Sequence, residues 1–314
     1  MRVGTVARPI RIGLVGIGKI ARDSHVPALR ADPRFVLAAT ASRNGSVDGV
    51  PAYTSIEAMI AGGERLDAVS LCTPPAGRHA IAAAALGAGL HVMLEKPPAA
   101  TLSEADDLTA RALAAGTSLF MSWHSREAAG VAAARAWLAG RHVVAVRIDW
   151  KEDIRRWHPG QEWILAEGGF GVFDPGINAL SIITAILPAP VFVEAAHLEV
   201  PANRASPIAA TLAMRAGETR IAAAFDFRQT GPQTWDIAVE TDAGTLRLAE
   251  GGATLVLPGG AAAQAGPNEE YPRLYAHFAD LVGTGRADAD LAPMRLVADA
   301  FLLATRETCD AFAF

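Results

Sequence analysis

A glycine-rich turn between Ile10 and Ala21 constrains the fold of this chain more than any other stretch. The apolar run Ile12–Val15 leads into Gly16, Gly18 and Ala21 at GxGxxA spacing, and helix-forming residues follow. Gly16 permits a tight turn, Gly18 lets the backbone approach a phosphate, and Ala21 lets helix and strand pack closely. The pattern predicts a dinucleotide pyrophosphate at the positive end of a helix. The residues of the turn expected to contact it are Gly16, Gly18, Lys19 and Ile20. An ordinary strand-to-helix turn is the alternative.

The length of 314 residues suits two domains, because single cores stop growing at about 250–300 residues. We expect a dinucleotide-binding Rossmann domain at 1–124 and a substrate-binding α+β domain at 125–314. The C-terminal helix is a candidate to pack back on the first domain.

Charge and cysteine content exclude several classes of function. The 28 basic and 33 acidic residues give a net charge of −5 without blocks of like charge, so nucleic acid and membrane are poor partners. Cys72 and Cys309 are too few for a disulfide framework, and the histidines are too scattered for a metal site. The N-terminal residues 1–8 show no signal-peptide pattern and are expected to form a loose tail. The sequence therefore predicts a cytoplasmic protein that acts on a small molecule without a metal.

Short apolar strands alternate with helices through the rest of the first domain. The predicted strands are 35–41, 66–73, 91–94 and 119–122, and the predicted helices are 21–29, 78–89 and 103–115. Such alternation predicts a doubly wound parallel sheet, with the cofactor at the carboxyl ends of its strands.

The end of the second strand bears on the choice of cofactor. An acid at this position binds a ribose 2′-hydroxyl, but the sequence has Ser42 and Arg43 instead. Serine can donate a hydrogen bond, and a guanidinium can pair with a 2′-phosphate. We therefore expect NADP as the preferred cofactor and NAD as the second candidate. A solvated turn is the alternative interpretation.

The second half of the chain changes to strands joined by Gly, Asp and Pro turns. The predicted strands are 143–150, 191–200, 208–214, 220–227, 235–241, 245–248 and 253–257, with helices at 128–138 and 291–308 and a loop at 258–267. The pattern predicts an open, mainly antiparallel sheet. The fold class is thus α/β, a Rossmann sheet joined to an α+β domain. Because open sheet faces commonly pair with a copy of themselves, we expect a homodimer through this sheet.

Three motifs are more specific than the glycine turn alone. They are GIGKIA at 16–21, CTPP at 72–75 followed by His79, and AGLHVMLEKPPA at 88–99. In this order they resemble the glucose-fructose oxidoreductase and inositol dehydrogenase family (Gfo/Idh/MocA). The resemblance covers residues 10–125 well and the remainder more loosely. It implies a nicotinamide cofactor, whose further contacts by this resemblance are Thr73, Pro74, His79, Glu95 and Lys96.

In that family the lysine that matches Lys96 lies beside the nicotinamide and the substrate hydroxyl. An ammonium at this place favours the alkoxide that develops as the hydroxyl is oxidised. A strand-end lysine paired with Glu95 is the alternative.

The segment DPGIN places Asp174 at a predicted helix N-cap and Pro175 at the first helical position. Asn178 follows one turn later, so both polar side chains are predicted to face one cleft. Family members usually carry a proton-carrying histidine where Asn178 stands. Asparagine orients a hydroxyl but does not titrate, so we expect Asp174 to accept the proton with Lys96 as its partner across the cleft. A plain N-cap is the alternative.

DPGIN and its polar companions resemble the branch of the family that oxidises aldoses at C1. This implies L-arabinose or D-galactose as substrate and an aldonolactone as product. Such sites combine polar groups for hydroxyls with an aromatic wall. The residues expected to form the site are His124, Glu152, Trp157, His158, Asp174, Asn178 and Trp235. Core tryptophans and surface histidines are the alternative interpretation.

Two other functions remain open from the sequence. One is oxidation of an inositol or of another sugar position, or reduction of a carbonyl, on the same fold. The other is a non-catalytic NADP-binding regulator that docks on a partner protein.

Overall fold

The computed structural model describes residues 8–260, 262–265 and 268–314. They form two compact units, one of residues 8–122 with Tyr271–Asp290 and one of Trp123–Glu270 with Leu291–Phe314. Within the described ranges, no helix is long and apolar enough to cross a membrane. The predicted tail lies outside the described residues, except for Arg8.

The first unit contains a six-stranded parallel sheet. Its strands are β1 (Ile10–Val15), β2 (Phe35–Ala41), β3 (Ala52–Tyr53), β4 (Ala68–Leu71), β5 (His91–Leu94) and β6 (Leu119–Met121). A π-helical turn at Ala21–His25 continues into α1 (Val26–Ala31), and the next helices are α2 (Ile56–Ala61), α3 (Arg78–Gly87) and α4 (Leu102–Ala115). The strand order β3-β2-β1-β4-β5-β6 is that of a dinucleotide-binding sheet, which confirms the predicted fold class.

The second unit contains a nine-stranded sheet. Its first eight strands are β7 (Val143–Lys151), β8 (Val191–Pro201), β9 (Ala209–Ala216), β10 (Thr219–Asp226), β11 (Thr234–Thr241), β12 (Gly244–Ala249), β13 (Thr254–Val256) and β14 (Ala262–Ala265). The helices of this part are α5 (Val131–Leu138), α6 (Ile154–Trp157) and α7 (Phe173–Ile186), with short 3-10 turns at His124–Glu127, Glu162–Leu165 and Glu250–Gly252. The loop predicted at 258–267 includes β14, while residues 261, 266 and 267 lie outside the description.

The chain ends with α8 (Glu270–Thr284), α9 (Ala292–Leu303) and β15 (Ala304–Cys309). The sheet order is β14-β13-β12-β11-β7-β10-β9-β8-β15. Only β7–β10 and β8–β15 are parallel pairs among the described strands of this sheet, which confirms a mainly antiparallel sheet.

Helix α8 was not predicted, although it completes the core of the first unit. Tyr271, Leu274, Tyr275 and Phe278 pack against the parallel sheet from one face of this helix. The prediction of a helix through residue 308 was wrong after Leu303, because β15 instead pairs with β8 and forms the edge of the sheet. Sheet pairing overrides local helix propensity here.

Helix α7 is buried along almost its whole length, and its sequence is apolar except for one stripe of polar residues, namely Asp174, Asn178, Ser181 and Thr184. The N-cap prediction for Asp174 was wrong, since the helix begins at Phe173 and Asp174 is its second residue. A turn in which Asp174 N–H donates to Gly171 O at 2.9 Å runs directly into the helix. Pro175 is the third residue of the helix. Proline, which lacks an N–H, is tolerated at this position because the first N–H groups of a helix have no intrahelical acceptor.

Candidate active site

The glycine turn follows β1 directly in the first unit. Gly16 has a φ of +88°, and a Cβ there would lie 2.8 Å from the backbone nitrogen of Thr73, so the turn requires glycine. A Cβ on Gly18 would meet no atom within 4 Å, so open space lies over this residue. Lys19 is exposed and paired with Asp23, and Ile20 is 38% exposed. The turn therefore leaves room for a phosphate group close to the backbone.

Thr73, after the carboxyl end of β4, carries a polar atom that lacks a partner. Its Oγ1 is buried and makes no hydrogen bond within the described structure. An unsatisfied buried polar group costs about 1–3 kcal/mol, so a bound ligand that reaches this hydroxyl would be stabilising. The orphaned hydroxyl, the adjoining Gly16 and the open space over Gly18 fit a dinucleotide. Pro74, the next residue, is exposed.

The loop after β2 carries the basic side chain of Arg43 and no acid near the strand end. Ser42 is half-buried and its N–H donates to Tyr53 O at 2.9 Å, while Arg43 is exposed. Arg22 donates from its guanidinium to Ser46 O in the same loop at 3.2 Å. A second guanidinium thus lies at the loop that holds Arg43, a feature that the sequence did not indicate.

His79 is held by a neighbouring helix. Its Nε2 lies 2.7 Å from Oδ2 of Asp107 in α4. Hydrogen bonds from Arg111 and then His79 lower the pKa of Asp107, so the carboxylate stays ionised. In the described structure His79 therefore joins α3 to α4, and its predicted cofactor contact remains a prediction.

The strand-end step Glu95–Lys96 is fixed by buried polar contacts. The backbone N–H of Lys96 donates to Glu95 Oε2 at 2.8 Å, and the Lys96–Pro97 peptide is cis. Arg78, buried at the start of α3, donates to the carbonyls of Glu95, Pro97 and Thr73. These bonds hold the loops after β4 and β5 together, and they therefore fix the position of the Lys96 backbone. The lysine itself is half-buried.

The carboxylate of Glu95 lies in a buried network with aromatic residues. Tyr271 donates to Glu95 Oε1 at 2.6 Å, and His25 Nε2 lies 3.1 Å from the same oxygen. His25 Nδ1 lies 2.7 Å from the Tyr275 hydroxyl. Burial opposes the imidazolium of His25, yet Cys72, Tyr275 and Glu95 together raise its pKa well above the ordinary value. A protonated His25 therefore compensates the buried carboxylate.

Replacement of Tyr271 by phenylalanine is expected to lower the free energy of unfolding by about 1–3 kcal/mol, because a buried carboxylate loses a donor. Urea denaturation of Y271F measures the change. Y53F removes an exposed hydroxyl that lies 3.5 Å from Gly62 O and serves as the control. Equal stability of Y271F and wild type would contradict a structural role for this bond.

The second unit contains a polar pocket of about 270 Å³. Four of its lining residues were predicted from the sequence, namely His124, Glu152, Asn178 and Trp235. Lining residues that the prediction missed include Trp150, Glu250, Asn268, Glu269 and Glu270. Acceptors therefore predominate among its polar groups, which suits a ligand rich in hydroxyls.

Glu152 links the pocket to three further predicted residues. Its Oε2 accepts a hydrogen bond from Trp235 Nε1 at 2.7 Å, and its Oε1 lies 3.0 Å from His158 Nε2. His158 Nδ1 in turn lies 3.7 Å from Asp174 Oδ2. The Trp157 ring lies 4.8 Å from that of Trp235. The structure thus connects these five residues, although Trp157, His158 and Asp174 do not line the pocket themselves.

The polar residues of α7 occupy different depths. Asp174 is only 4% exposed, and Asn178 is half-buried and lines the pocket. Asn178 lines the pocket with Glu152, whereas Asp174 lies 3.7 Å from His158, so the common cleft of the two α7 residues stays a prediction. A buried carboxylate beside an imidazole is suited to proton transfer.

His124 meets an acidic segment at the other side of the pocket. Its Nδ1 lies 2.6 Å from Glu270 Oε2, and Glu270 N–H donates to Asn268 Oδ1 at 3.1 Å. No group of three or more metal-ligating side chains occurs among the residues described. Hydrogen-bonding side chains, two tryptophan rings and several small residues line the pocket.

Comparison with known proteins agrees with this architecture. Residues 10–122 match the GFO/IDH/MocA family, an oxidoreductase family with an NAD-binding Rossmann fold. Galactose 1-dehydrogenase of Pseudomonas fluorescens is 47% identical over 307 residues, which are 97% of this chain and 99% of that protein.

Solved structures show the same relation. D-galactose-1-dehydrogenase from Rhizobium etli has a TM-score of 0.94 and 52% identity, with 98% of this chain and 99% of that chain covered. A 3-ketoreductase from Actinomadura kijaniata, in complex with NADP and TDP-benzene, shares the fold with a TM-score of 0.84 at 19% identity, over 97% of this chain and 100% of that chain. Because the identity with galactose 1-dehydrogenase extends over almost the whole chain, the resemblance seen in the motifs is confirmed, and the chain belongs to the Gfo/Idh/MocA family of oxidoreductases.

Proposed function

We propose that the chain oxidises an aldose at its anomeric carbon, with D-galactose and L-arabinose as substrates and an aldonolactone as product. The observation that carries the proposal is the polar, tryptophan-walled pocket of about 270 Å³. Small-molecule sites usually measure about 300–1,000 Å³, so this pocket suits a ligand as small as a monosaccharide. The near full-length identity with galactose 1-dehydrogenase supports the same substrate class.

Both sugars share their configuration at carbons 2, 3 and 4. One set of polar groups can therefore bind either of them. The donors and acceptors proposed for the hydroxyls are His124, Glu152 and Asn178, which line the pocket, and His158 supports them through its hydrogen bond with Glu152. The proposed aromatic wall is Trp235, whose ring packs against that of Trp157. A tryptophan face suits the apolar side of a pyranose ring.

The chain's own residues move one proton in this reaction. Asp174 removes the proton of the C1 hydroxyl, and Asn178 orients that hydroxyl by hydrogen bonding. Lys96 stabilises the negative charge that develops on the oxygen. Bound nicotinamide supplies the acceptor for the hydride that leaves C1. The residues proposed to hold the nucleotide are Gly16, Gly18, Lys19, Ile20, Ser42, Arg43, Thr73, Pro74, His79, Glu95 and Lys96.

Initial rates with D-galactose, L-arabinose, D-xylose and myo-inositol test the proposal. We expect galactose and arabinose to be oxidised at comparable kcat/KM, and the product to hydrolyse to an acid. Preferential oxidation of inositol would instead assign a ring hydroxyl. Nucleotide binding without turnover of any sugar would assign a regulator.

We propose NADP as the preferred cofactor, because Ser42 and Arg43 follow β2 where an acid would favour NAD. R43A is expected to raise the KM for NADP about 10–100-fold, since a hydrogen bond to a charged group contributes about 1.5–3 kcal/mol. The KM for NAD should stay nearly constant. R34A, at the amino end of β2, is the matched control. An equal effect of R43A on both nucleotides would contradict a 2′-phosphate contact.

We propose a homodimer formed through the open face of the nine-stranded sheet. A groove of about 510 Å³ on this face contains small residues and charges of both signs, among them Arg147, Glu194, Ala222 and Glu240. Such a mixed face is able to pair with its own copy about a twofold axis. Sedimentation equilibrium of wild type and A222E tests this, with a dimer expected for wild type and a monomer for A222E. A monomeric wild type would contradict the proposal.

A further inference from the structure

We infer that His158 relays the proton that Asp174 receives and thereby replaces the titratable imidazole that Asn178 does not provide. This inference rests on the proposed oxidation of a sugar hydroxyl. His158 acts through Asp174, so its role is that of a positioning and relaying residue.

Two carboxylates hold the His158 ring from opposite nitrogens. Nε2 lies 3.0 Å from Glu152 Oε1, at the end of β7, and Nδ1 lies 3.7 Å from Asp174 Oδ2 on α7. The third neighbour, Phe227 after β10, presents an apolar ring edge at 5.7 Å between centroids. In the part of the chain that the structure describes, Glu152 and Asp174 are the titratable groups that face this imidazole.

The relay requires one tautomer. In it Nε2–H donates to Glu152, whose other oxygen already accepts from Trp235, and Nδ1 accepts from Asp174 once this carboxyl is protonated. The 3.7 Å separation is an ion-pair distance and exceeds a direct hydrogen bond. Transfer therefore needs closer approach or one bridging water, and catalytic hydrogen bonds often tighten only when substrate binds.

The backbone around His158 keeps the ring in place. The side chain of Asp153 caps α6 by accepting from Arg155 N at 2.9 Å, and His158 N–H donates to Ile154 O at 2.8 Å. These two hydrogen bonds therefore fix the position of the turn that carries the imidazole.

The exposed fractions of the three side chains indicate which group passes the proton on to water. The side chain of His158 is 16% exposed, against 6% for Asp174 and 2% for Glu152. Of the three, the imidazole is best placed to release a proton to water.

The step conserves atoms and charge. The O–H bond of the C1 hydroxyl breaks as an O–H bond forms on Asp174, while the hydride leaves C1 for the nicotinamide. The Asp174 O–H bond then breaks as an N–H bond forms at His158 Nδ1. The resulting imidazolium, flanked by two carboxylates, loses this proton to water and regenerates the starting state.

Steady-state kinetics of H158Q and H158A test the relay, with H197Q as control. Glutamine keeps a donor for Glu152 but does not titrate. His197 also pairs with a carboxylate, Glu307 at 3.3 Å, outside the pocket. We expect H158Q to lower kcat about 10–100-fold, with KM for galactose within about threefold of wild type. The pH dependence that His158 gives to kcat should be absent from H158Q, and added imidazole should restore part of the rate of H158A.

A measurement on the wild-type protein does not depend on whether a variant folds. The part of the pH dependence of kcat that H158Q lacks should vary with temperature as expected for the large ionisation enthalpy of an imidazole rather than the small one of a carboxylate. An unchanged kcat and pH profile in H158Q, or a raised KM with normal kcat, would overturn the relay. A carboxylate-like enthalpy in wild type would overturn it as well. Absence of sugar oxidation by wild type would instead overturn the proposed function.

Discussion

D174N is expected to lower kcat by about 10²–10⁴-fold, the usual contribution of a general base. Asparagine has nearly the same shape as aspartate but does not accept the hydroxyl proton at neutral pH. Asp174 is 4% exposed, so bulk water is poorly placed to take over its role. Initial-rate measurements on D174N with saturating galactose give the effect, and fluorescence titration should show NADP binding close to that of wild type.

D149N is the matched control for this variant. Its hydrogen bond with Arg147 is the main reason that the pKa of Asp149 is lowered, so the control also removes an ionised carboxylate of the second unit. D149N should retain nearly normal turnover. A kcat of D174N within about threefold of wild type would assign the proton to another acceptor.

K96M is expected to lower kcat by about 10²–10³-fold, comparable with the loss of one donor to a developing oxyanion. Methionine keeps the length of the side chain and removes its charge. The bonds of Arg78 and Glu95 to this segment involve main-chain atoms, so the loop itself should keep its conformation. Measurement of kcat and KM separately should place most of the loss in kcat.

K151M is the control for Lys96. Lys151 is half-buried and its Nζ lies 3.3 Å from Asp149, so the substitution removes a paired lysine of similar exposure. We expect near-normal kcat for K151M and partial activity for K96R, which keeps the positive charge. Full activity of K96M would refute the assigned role of this ammonium.

The Rossmann unit was predictable because its signals are local. Gly16 and Gly18 follow β1 immediately, and strands and helices alternate at short intervals afterwards. Helix α8 was missed although Tyr271, Leu274 and Phe278 show helical spacing. It is about 150 residues from the other elements of its unit, and periodicity alone does not indicate which core a helix joins.

At the end of the chain a helix was predicted where the structure has a strand. Residues 304–308 read ATRET, and the helix predicted from Leu291 was extended through them. Pairing with β8 decides the outcome instead, and Thr305 and Thr308 suit a strand because they are β-branched. Such pairing is a tertiary effect that a single sequence does not encode locally.

The site was predictable residue by residue but not as a network. Glu152, His158 and Asp174 were each expected to contact sugar, whereas the structure links them in one chain. That link joins the end of β7, the turn after α6 and the first turn of α7, so no sequence spacing reveals it. Trp150 was missed, although it stands two residues before Glu152 and therefore on the same face of the strand.

Oxidation of D-galactose that carries deuterium at C1 shows which carbon gives up the hydride. If C1 is oxidised, the deuterium should appear in the reduced nucleotide and the lactone should contain none, with a primary isotope effect on the rate where hydride transfer limits turnover. Retention of the deuterium in the oxidised sugar would show that another carbon gives up the hydride and would contradict oxidation at the anomeric centre.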